Sequence, residues 1–349
     1  MSMAFEGFPF IIGWELTLAC NLRCRHCGSS AGLPRDNELS LEEALDICDQ
    51  FPALLVQEVD FTGGEPLLYP DWFQIAIYLK KYGIKTKILS NGLALDASIV
   101  AQLKEAGISS VGVSLDGLES THDYIRGRTG AFRGALSGIE KVIDADIPLC
   151  VITTVNSLNA QELSKLLDLL ISLRVSRWQI QPIAPLGRSR DDLKLCLTEQ
   201  AYLQVGSFLH SSRPTAEKSG LNIGPADSLG YFTELDQQDP QWKGCSAGLV
   251  SCGITSNGKV KGCLSLPDEL IEGDLRKNDL WDIWFNQDKF AYSRSYKNEK
   301  AGPYCRSCDK AEQCQGGCTA MSYANTGIFH NDKFCFYGIT NRGPDNRAT

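Results

Sequence analysis

The strongest constraint on the fold is a repeat of strand-like and helix-like segments through the first half of the chain. Six short apolar runs, residues 10–17, 56–62, 84–90, 109–115, 149–155 and 177–182, have the length and composition of buried strands. Residues 41–51, 71–82, 97–106, 135–145 and 160–173 carry apolar side chains at helical spacing. Ser40, with Glu43 three residues on, reads as a capping box that opens the first helix. Such alternation builds parallel strands joined by right-handed crossovers. Six units give an α/β fold, as an incomplete barrel or an open sheet.

The pattern weakens after Gly187. One more helix is expected at 197–210, followed by a polar, irregular linker at 211–242. From residue 243 the chain is dense in cysteine, with one clear helix near 280–286. That region reads as a second domain held by metal more than by an apolar core, ending in a frayed tail at 343–349. The expected organisation is therefore 1–210, linker 211–242 and 243–349. It agrees with 349 residues at roughly 150 per domain.

The net charge of −8 argues against a nucleic-acid-binding surface. No apolar run reaches the ~18 residues of a membrane span. The N-terminus lacks the basic and apolar regions of a secretion signal. A cytoplasmic protein is expected, in which 14 cysteines serve as metal ligands more readily than as disulfides.

Cys20, Cys24 and Cys27 follow the first strand directly, with spacing C-x3-C-x2-C. Three thiolates on one loop hold three irons of a [4Fe–4S] cube and leave the fourth open, much as a catalytic metal keeps an open position. A structural zinc would want a fourth ligand nearby. This loop resembles the signature of the radical S-adenosylmethionine (SAM) superfamily. The resemblance implies that the open iron chelates SAM and that one electron cleaves the sulfonium bond. The 5′-deoxyadenosyl radical so formed takes a hydrogen atom from substrate.

Other positions carry the same resemblance. Gly63, Gly64 and Glu65 lie in Thr-Gly-Gly-Glu-Pro after the second strand, where the family holds the SAM amino group. Ser90 and Asn91 end the third strand, and Ser114 and Asp116 the fourth. Polar groups at the C-terminal ends of parallel strands face the ligand mouth. By resemblance they approach the SAM ribose, His26 lies near the adenine and Arg126 meets the SAM carboxylate. The segment 181–188 resembles the one that runs along the adenine.

The C-terminal cysteines resemble the SPASM domain, named for subtilosin, pyrroloquinoline quinone, anaerobic sulfatase and mycofactocin maturation. Gly258 precedes Cys263 by five residues, and Gly316-Gly317 precede Cys318. The resemblance implies two auxiliary [4Fe–4S] clusters. Cluster I takes Cys245, Cys252, Cys263 and Cys318; cluster II takes Cys305, Cys308, Cys314 and Cys335. Two structural zincs are the alternative, because C-x2-C pairs also make zinc knuckles. Cys48 and Cys150 read as core packing and Cys196 as inert.

The whole implies an enzyme with three [4Fe–4S] clusters and SAM, reduced by a flavodoxin or ferredoxin. Relatives with the full domain mostly modify peptides, by crosslinking, oxidation or excision. A peptide maturase is the expectation. With only about nine residues before the first strand, a separate leader-recognition protein is expected too. Leu264 stands where sulfatase-maturing relatives place a catalytic aspartate, which argues against formylglycine chemistry. The alternative is a small-molecule oxidoreductase acting on a sugar, tetrapyrrole or cofactor precursor. A third reading, an electron-transfer or zinc-stabilised binding protein, predicts no SAM cleavage. No residue is singled out as acid, base or hydrogen donor.

Overall fold

A computed structural model describes residues 7–229 and 244–341. The expected tail at 343–349 and the 230–242 part of the expected linker lie outside the described residues. Six strands form where the sequence places them: β1 (Ile11–Thr17), β2 (Glu58–Gly63), β3 (Lys85–Ser90), β4 (Ser110–Ser114), β5 (Leu149–Val155) and β6 (Arg177–Pro182). Between them run α1 (Leu41–Gln50), α2 (Trp72–Lys81), α3 (Ala97–Ala106), α4 (Glu119–Arg126), α5 (Ala131–Asp144) and α6 (Leu163–Ser172). The capping box at α1 is present: Glu43 N–H donates to Ser40 Oγ (3.2 Å), and Ser40 N–H to Glu43 Oε2 (2.9 Å). The strands pair in chain order and all in parallel.

Successive strand residues point to opposite faces of a sheet. One face is apolar here. Ile12, Trp14, Val59, Phe61, Ile88, Val111, Val113, Val151, Trp178 and Ile180 are buried in one cluster with helix residues such as Ile47, Ile75, Leu103, Ile139 and Leu166. The other face carries Glu15, Leu89, Ile152, Thr154, Gln179 and Gln181, and these line a cavity. The two faces divide the work: one holds the helices, the other receives a ligand.

Three features differ from the sequence reading. The helix α4 was not expected, because its segment ESTHDYIR is mostly polar and shows little apolar periodicity. The helix expected at 197–210 is α7 (Glu199–Lys218), which continues through Pro214. Its buried residues Tyr202, Val205, Leu209 and Ala216 keep one face packed beyond the expected end, so packing overrides the proline there. The segment expected to be irregular then gives β7 (Asn222–Pro225), which pairs parallel to β6.

The cysteine-rich part is also more tightly integrated than expected. It contributes β8 (Ser251–Ile254), β9 (Lys259–Lys261) and β10 (Gly273–Asp274) to the same sheet, in the order β10-β9-β8-β1 through β7. Strand β8 pairs parallel to β1, with Ile12 opposite Cys252 and Trp14 opposite Ile254. Cys252, Ile254, Val260 and Phe290 share the main apolar cluster with Leu280 and Trp284 of α8 (Leu280–Phe285). Apolar packing therefore holds this part to the barrel independently of metal.

Glu15 ties the two parts together. It is nearly fully buried and accepts from Arg35 Nε (2.6 Å), Ser256 N–H (3.1 Å) and Ser256 Oγ (3.0 Å). Arg35 also reaches Asp268 at 3.2 Å. Removing one partner of a buried ion pair leaves the other charge uncompensated. Glu15→Ala is expected to destabilise the protein by about 3 kcal/mol. The loss reads as a lowered urea midpoint with an unchanged slope.

Candidate active site

The three-cysteine loop has no regular structure of its own, and its neighbours shape it. From β2, Gly64 N–H donates to Thr17 O (2.8 Å) and Glu65 N–H to Ala19 O (2.9 Å). This contact needs glycine. Gly63 has φ +126°, and a Cβ on Gly64 would lie 2.2 Å from Ala19 O. From the far side of the barrel, Arg188 Nε donates to Cys24 O (2.7 Å), its Nη1 to Ala31 O (2.8 Å), and its N–H to Cys27 O (3.0 Å). Asn91 braces Asn21 on the loop at 2.7 Å. The sequence placed 181–188 along the adenine; the structure gives Arg188 a grip on the loop as well.

The thiol surroundings suit an iron–sulfur cluster. Each sulfur has an N–H directed at it: Leu22 N–H to Cys20 (3.4 Å), Ala31 N–H to Cys27 (3.4 Å) and the Arg126 guanidinium to Cys24 (3.8 Å). Burial pushes the free Cys20 thiol up to about 11 and raises Cys24 as well. Metal ligation is what makes a buried thiol a thiolate at neutral pH. Beside these sulfurs, His26 Nδ1 and Arg126 Nε are buried without a hydrogen-bond partner. Polar atoms left so are ready for a bound ligand.

Two carboxylates lie under the loop, both fully buried. Burial pushes Glu65 up to about 7, against hydrogen bonds from Asn91 N–H (2.7 Å), Ser90 and Leu67. A cation arriving beside it would restore the carboxylate. Asp116 behaves in the opposite way. Burial raises it, but Arg126 (2.7 Å) and His26 (3.2 Å) outweigh that and hold it below the usual carboxylate range. Asp116 also accepts from Thr154 N–H (3.0 Å), and its own N–H donates to His122 Nδ1 (3.0 Å). Burial first, then Arg126, brings His122 down to about 4, so it stays neutral as that acceptor. The short α4 makes this hub possible, because it sets both His122 and Arg126 against Asp116. His122 is not legible from sequence, since a lone histidine on a mostly polar segment shows no pattern.

These residues surround one cavity of about 410 Å³. Cys20, Cys24, His26, Cys27, Gly63, Gly64, Ser90, Asn91, Ser114 and Arg126 all line it, with Glu65 and Asp116 buried behind the lining. The cavity extends to Cys263, Leu264, Ser265 and Cys318 of the C-terminal part, and to Asp227. Asp227 was not expected as a site residue. It is an exposed residue on the cavity wall, with its Oδ1 3.5 Å from Cys318 Sγ.

Of the four cysteines assigned to cluster I, three come together. Cys263 and Cys318 line the cavity, and a hydrogen bond from Cys318 holds Cys245 low. Cys252 is not with them: it is in the apolar cluster on the helix-covered face of β8. Cys305, Cys308, Cys314 and Cys335 surround a second, small cavity of about 20 Å³. Among the described residues, no three His, Cys, Asp or Glu side chains are gathered as a single metal ion would need them. Cys48 is buried in the core, while Cys150 and Cys196 are half-buried and are not among the residues lining either cavity.

The strand-end loops, the three thiols and the carboxylate hub define a radical SAM core, and the chain belongs to the radical SAM superfamily, with a SPASM domain at its C-terminal side. The superfamily's family model matches residues 14–170, and the iron–sulfur cluster-binding SPASM model matches 245–309. The AdoMet-dependent heme synthase of Methanosarcina barkeri is 31% identical over 353 residues, covering 96% of this chain and 98% of that protein. The mycofactocin maturase MftC of Mycobacterium ulcerans is 28% identical over 348 residues, covering 97% of this chain and 87% of that protein. Among solved structures, Streptococcus suis SuiB bound to S-adenosylmethionine superposes with a TM-score of 0.77 at 19% identity, covering 95% of this chain and 78% of SuiB. That likeness shows a shared fold.

The glycine contact yields a direct expectation. Gly64→Ala forces Ala19 away and displaces Glu65 from beneath the loop. SAM affinity, measured anaerobically by equilibrium dialysis on reconstituted protein, should fall at least about tenfold, or ~1.4 kcal/mol.

Proposed function

We propose that this enzyme reductively cleaves SAM at the three-cysteine site and oxidatively modifies a peptide. When bound, the cluster and SAM supply one-electron cleavage of the sulfonium bond and hydrogen-atom abstraction. Cys20, Cys24 and Cys27 hold the cluster. Glu65, which accepts from Asn91 N–H, would receive the SAM ammonium, while Ser90 and Asn91 stand beside the ribose residues. Arg126 reaches the carboxylate, and Ser114 and Asp116 lie towards the ribose. His26 orients at the adenine through its contact with Asp116. Cys245, Cys263 and Cys318, and separately Cys305, Cys308, Cys314 and Cys335, would hold two auxiliary clusters, which would supply an acceptor for the second electron of an oxidation.

The lining of the cavity carries the substrate reading. Its cations, Arg126 and Arg188, are committed to Asp116 and to the loop carbonyls. Thr154, Gln179, Gln181 and Ser265 offer neutral donors and acceptors instead. Such a wall suits peptide amides. A tetrapyrrole would bring carboxylate side chains, and among the described residues of this lining no uncommitted cation stands to meet them. The maturase MftC supports a peptide as well. The second reading, a tetrapyrrole substrate, is favoured by the 31% identity to a heme synthase across nearly its full length.

The same proposal gives the enzyme a flavodoxin or ferredoxin as reductant, a separate leader-recognition protein and a cytoplasmic location, with no nucleic-acid or membrane partner. Among the described residues, no helix is long and apolar enough to cross a membrane.

The test is anaerobic turnover with SAM and dithionite. One set of reactions contains short peptides encoded beside the gene, and another contains iron-coproporphyrin III. The peptide reading expects one peptide to raise 5′-deoxyadenosine formation several-fold and to lose two mass units or form a crosslink. Heme formed from iron-coproporphyrin III, with no peptide altered, would replace it by the second reading.

A further inference from the structure

We propose that Asp227, and not Cys252, completes the ligand set of the auxiliary cluster held by Cys245, Cys263 and Cys318. Strands β8 and β1 each have two distinct faces. A Cβ built on Gly253 would lie 2.9 Å from Leu264 Cγ, and one on Gly13 would lie 3.5 Å from Leu264 Cδ1. Both glycines therefore face the side where Leu264 and its neighbour Cys263 line the cavity. Cys252 precedes Gly253 in the strand, so its side chain points to the opposite face. There it is 2% exposed, in register with Ile12 and one strand residue apart in phase from Gly253. Ile254 and Trp14 continue the same apolar row. The sheet itself separates the Cys252 sulfur from Cys263.

Asp227 occupies the position that Cys252 leaves empty. It follows β7 at the other edge of the barrel and lines the cavity together with Cys263 and Cys318. Its Oδ1 is 3.5 Å from Cys318 Sγ. Cys318 in turn is hydrogen-bonded to Cys245. The Asp227 carboxylate stands beside the Cys318 sulfur, which is itself bonded to Cys245, so it is an oxygen donor within reach of a group those cysteines hold. Iron accepts oxygen donors as well as sulfur. The ligand set then joins the last strand of the barrel to the cysteine-rich part.

The test reads ligation in the anaerobically reconstituted full-length enzyme, without substrate, so it is independent of the proposed reaction. Iron and sulfide are counted per chain for wild type, Cys252→Ala and Cys263→Ala. Cys252→Ala should keep the wild-type content, whereas Cys263→Ala should lose about four irons, one cluster's complement. Electron–nuclear double resonance on protein labelled with carboxyl-13C aspartate should show a carbon coupling to a reduced cluster. That coupling should vanish in Asp227→Ala while Cys252→Ala retains it. Loss of a full cluster's iron in correctly folded Cys252→Ala would overturn the proposal. So would a labelled spectrum with no aspartate coupling, or one that Asp227→Ala leaves unchanged.

Discussion

The structure depends on a close approach of two loops. The chain from Thr17 through Cys27 carries the thiols but has no helix or strand to shape it. Its form comes from the turn after β2, where Gly63 and Gly64 let two backbone N–H groups reach Thr17 O and Ala19 O. That contact also sets Glu65 beneath the loop, close to the sulfurs. Sequence, backbone and site are joined here: without a glycine at 64 the carbonyl of Ala19 would clash, and the carboxylate would no longer lie under the thiols. Arg188 then closes the loop from the opposite side of the barrel.

The second organising element is Asp116. It pairs with the Arg126 guanidinium, contacts His26 Nε2 at 3.2 Å, accepts from Thr154 N–H and donates its own N–H to His122. One buried carboxylate thus fixes a cation, a ring and the ends of β4 and β5 around one cavity. An isolated buried charge would be costly, but this one is compensated on every side. The cavity extends to the cysteine-rich part because β8 continues the sheet beside β1. That pairing brings Cys263 to the mouth of the barrel.

Much of this was legible in the sequence. Strand runs at 149–155 and 177–182 match β5 and β6, since apolar runs bounded by turn signals define buried parallel strands well. The SAM-core residues were legible because their motifs end strands, and strand ends share one mouth. Other features were not. Helix α4 is mostly polar, and the face it buries carries His122 and Arg126, which meet Asp116 in a long-range contact that a search for apolar residues does not record. The polar composition after residue 210 masks the rest of α7, which tertiary packing carries on to Lys218 through Pro214. The family resemblance counts Cys252 as a ligand. Spacing carries no information on which face of a strand a side chain takes, and register with β1 decided that. Asp227 lies far from the cysteines in sequence and joins them only through the fold.

The central claim is that the three thiols and the carboxylates around them form a working SAM-cleaving centre. The most direct measurement is 5′-deoxyadenosine formed from SAM with dithionite under anaerobic conditions, by reconstituted wild type and by Cys24→Ala. The account predicts steady formation by wild type and none above background by the variant, with the C-terminal iron retained. No formation by an iron-replete wild type, or equal formation by both, would contradict it.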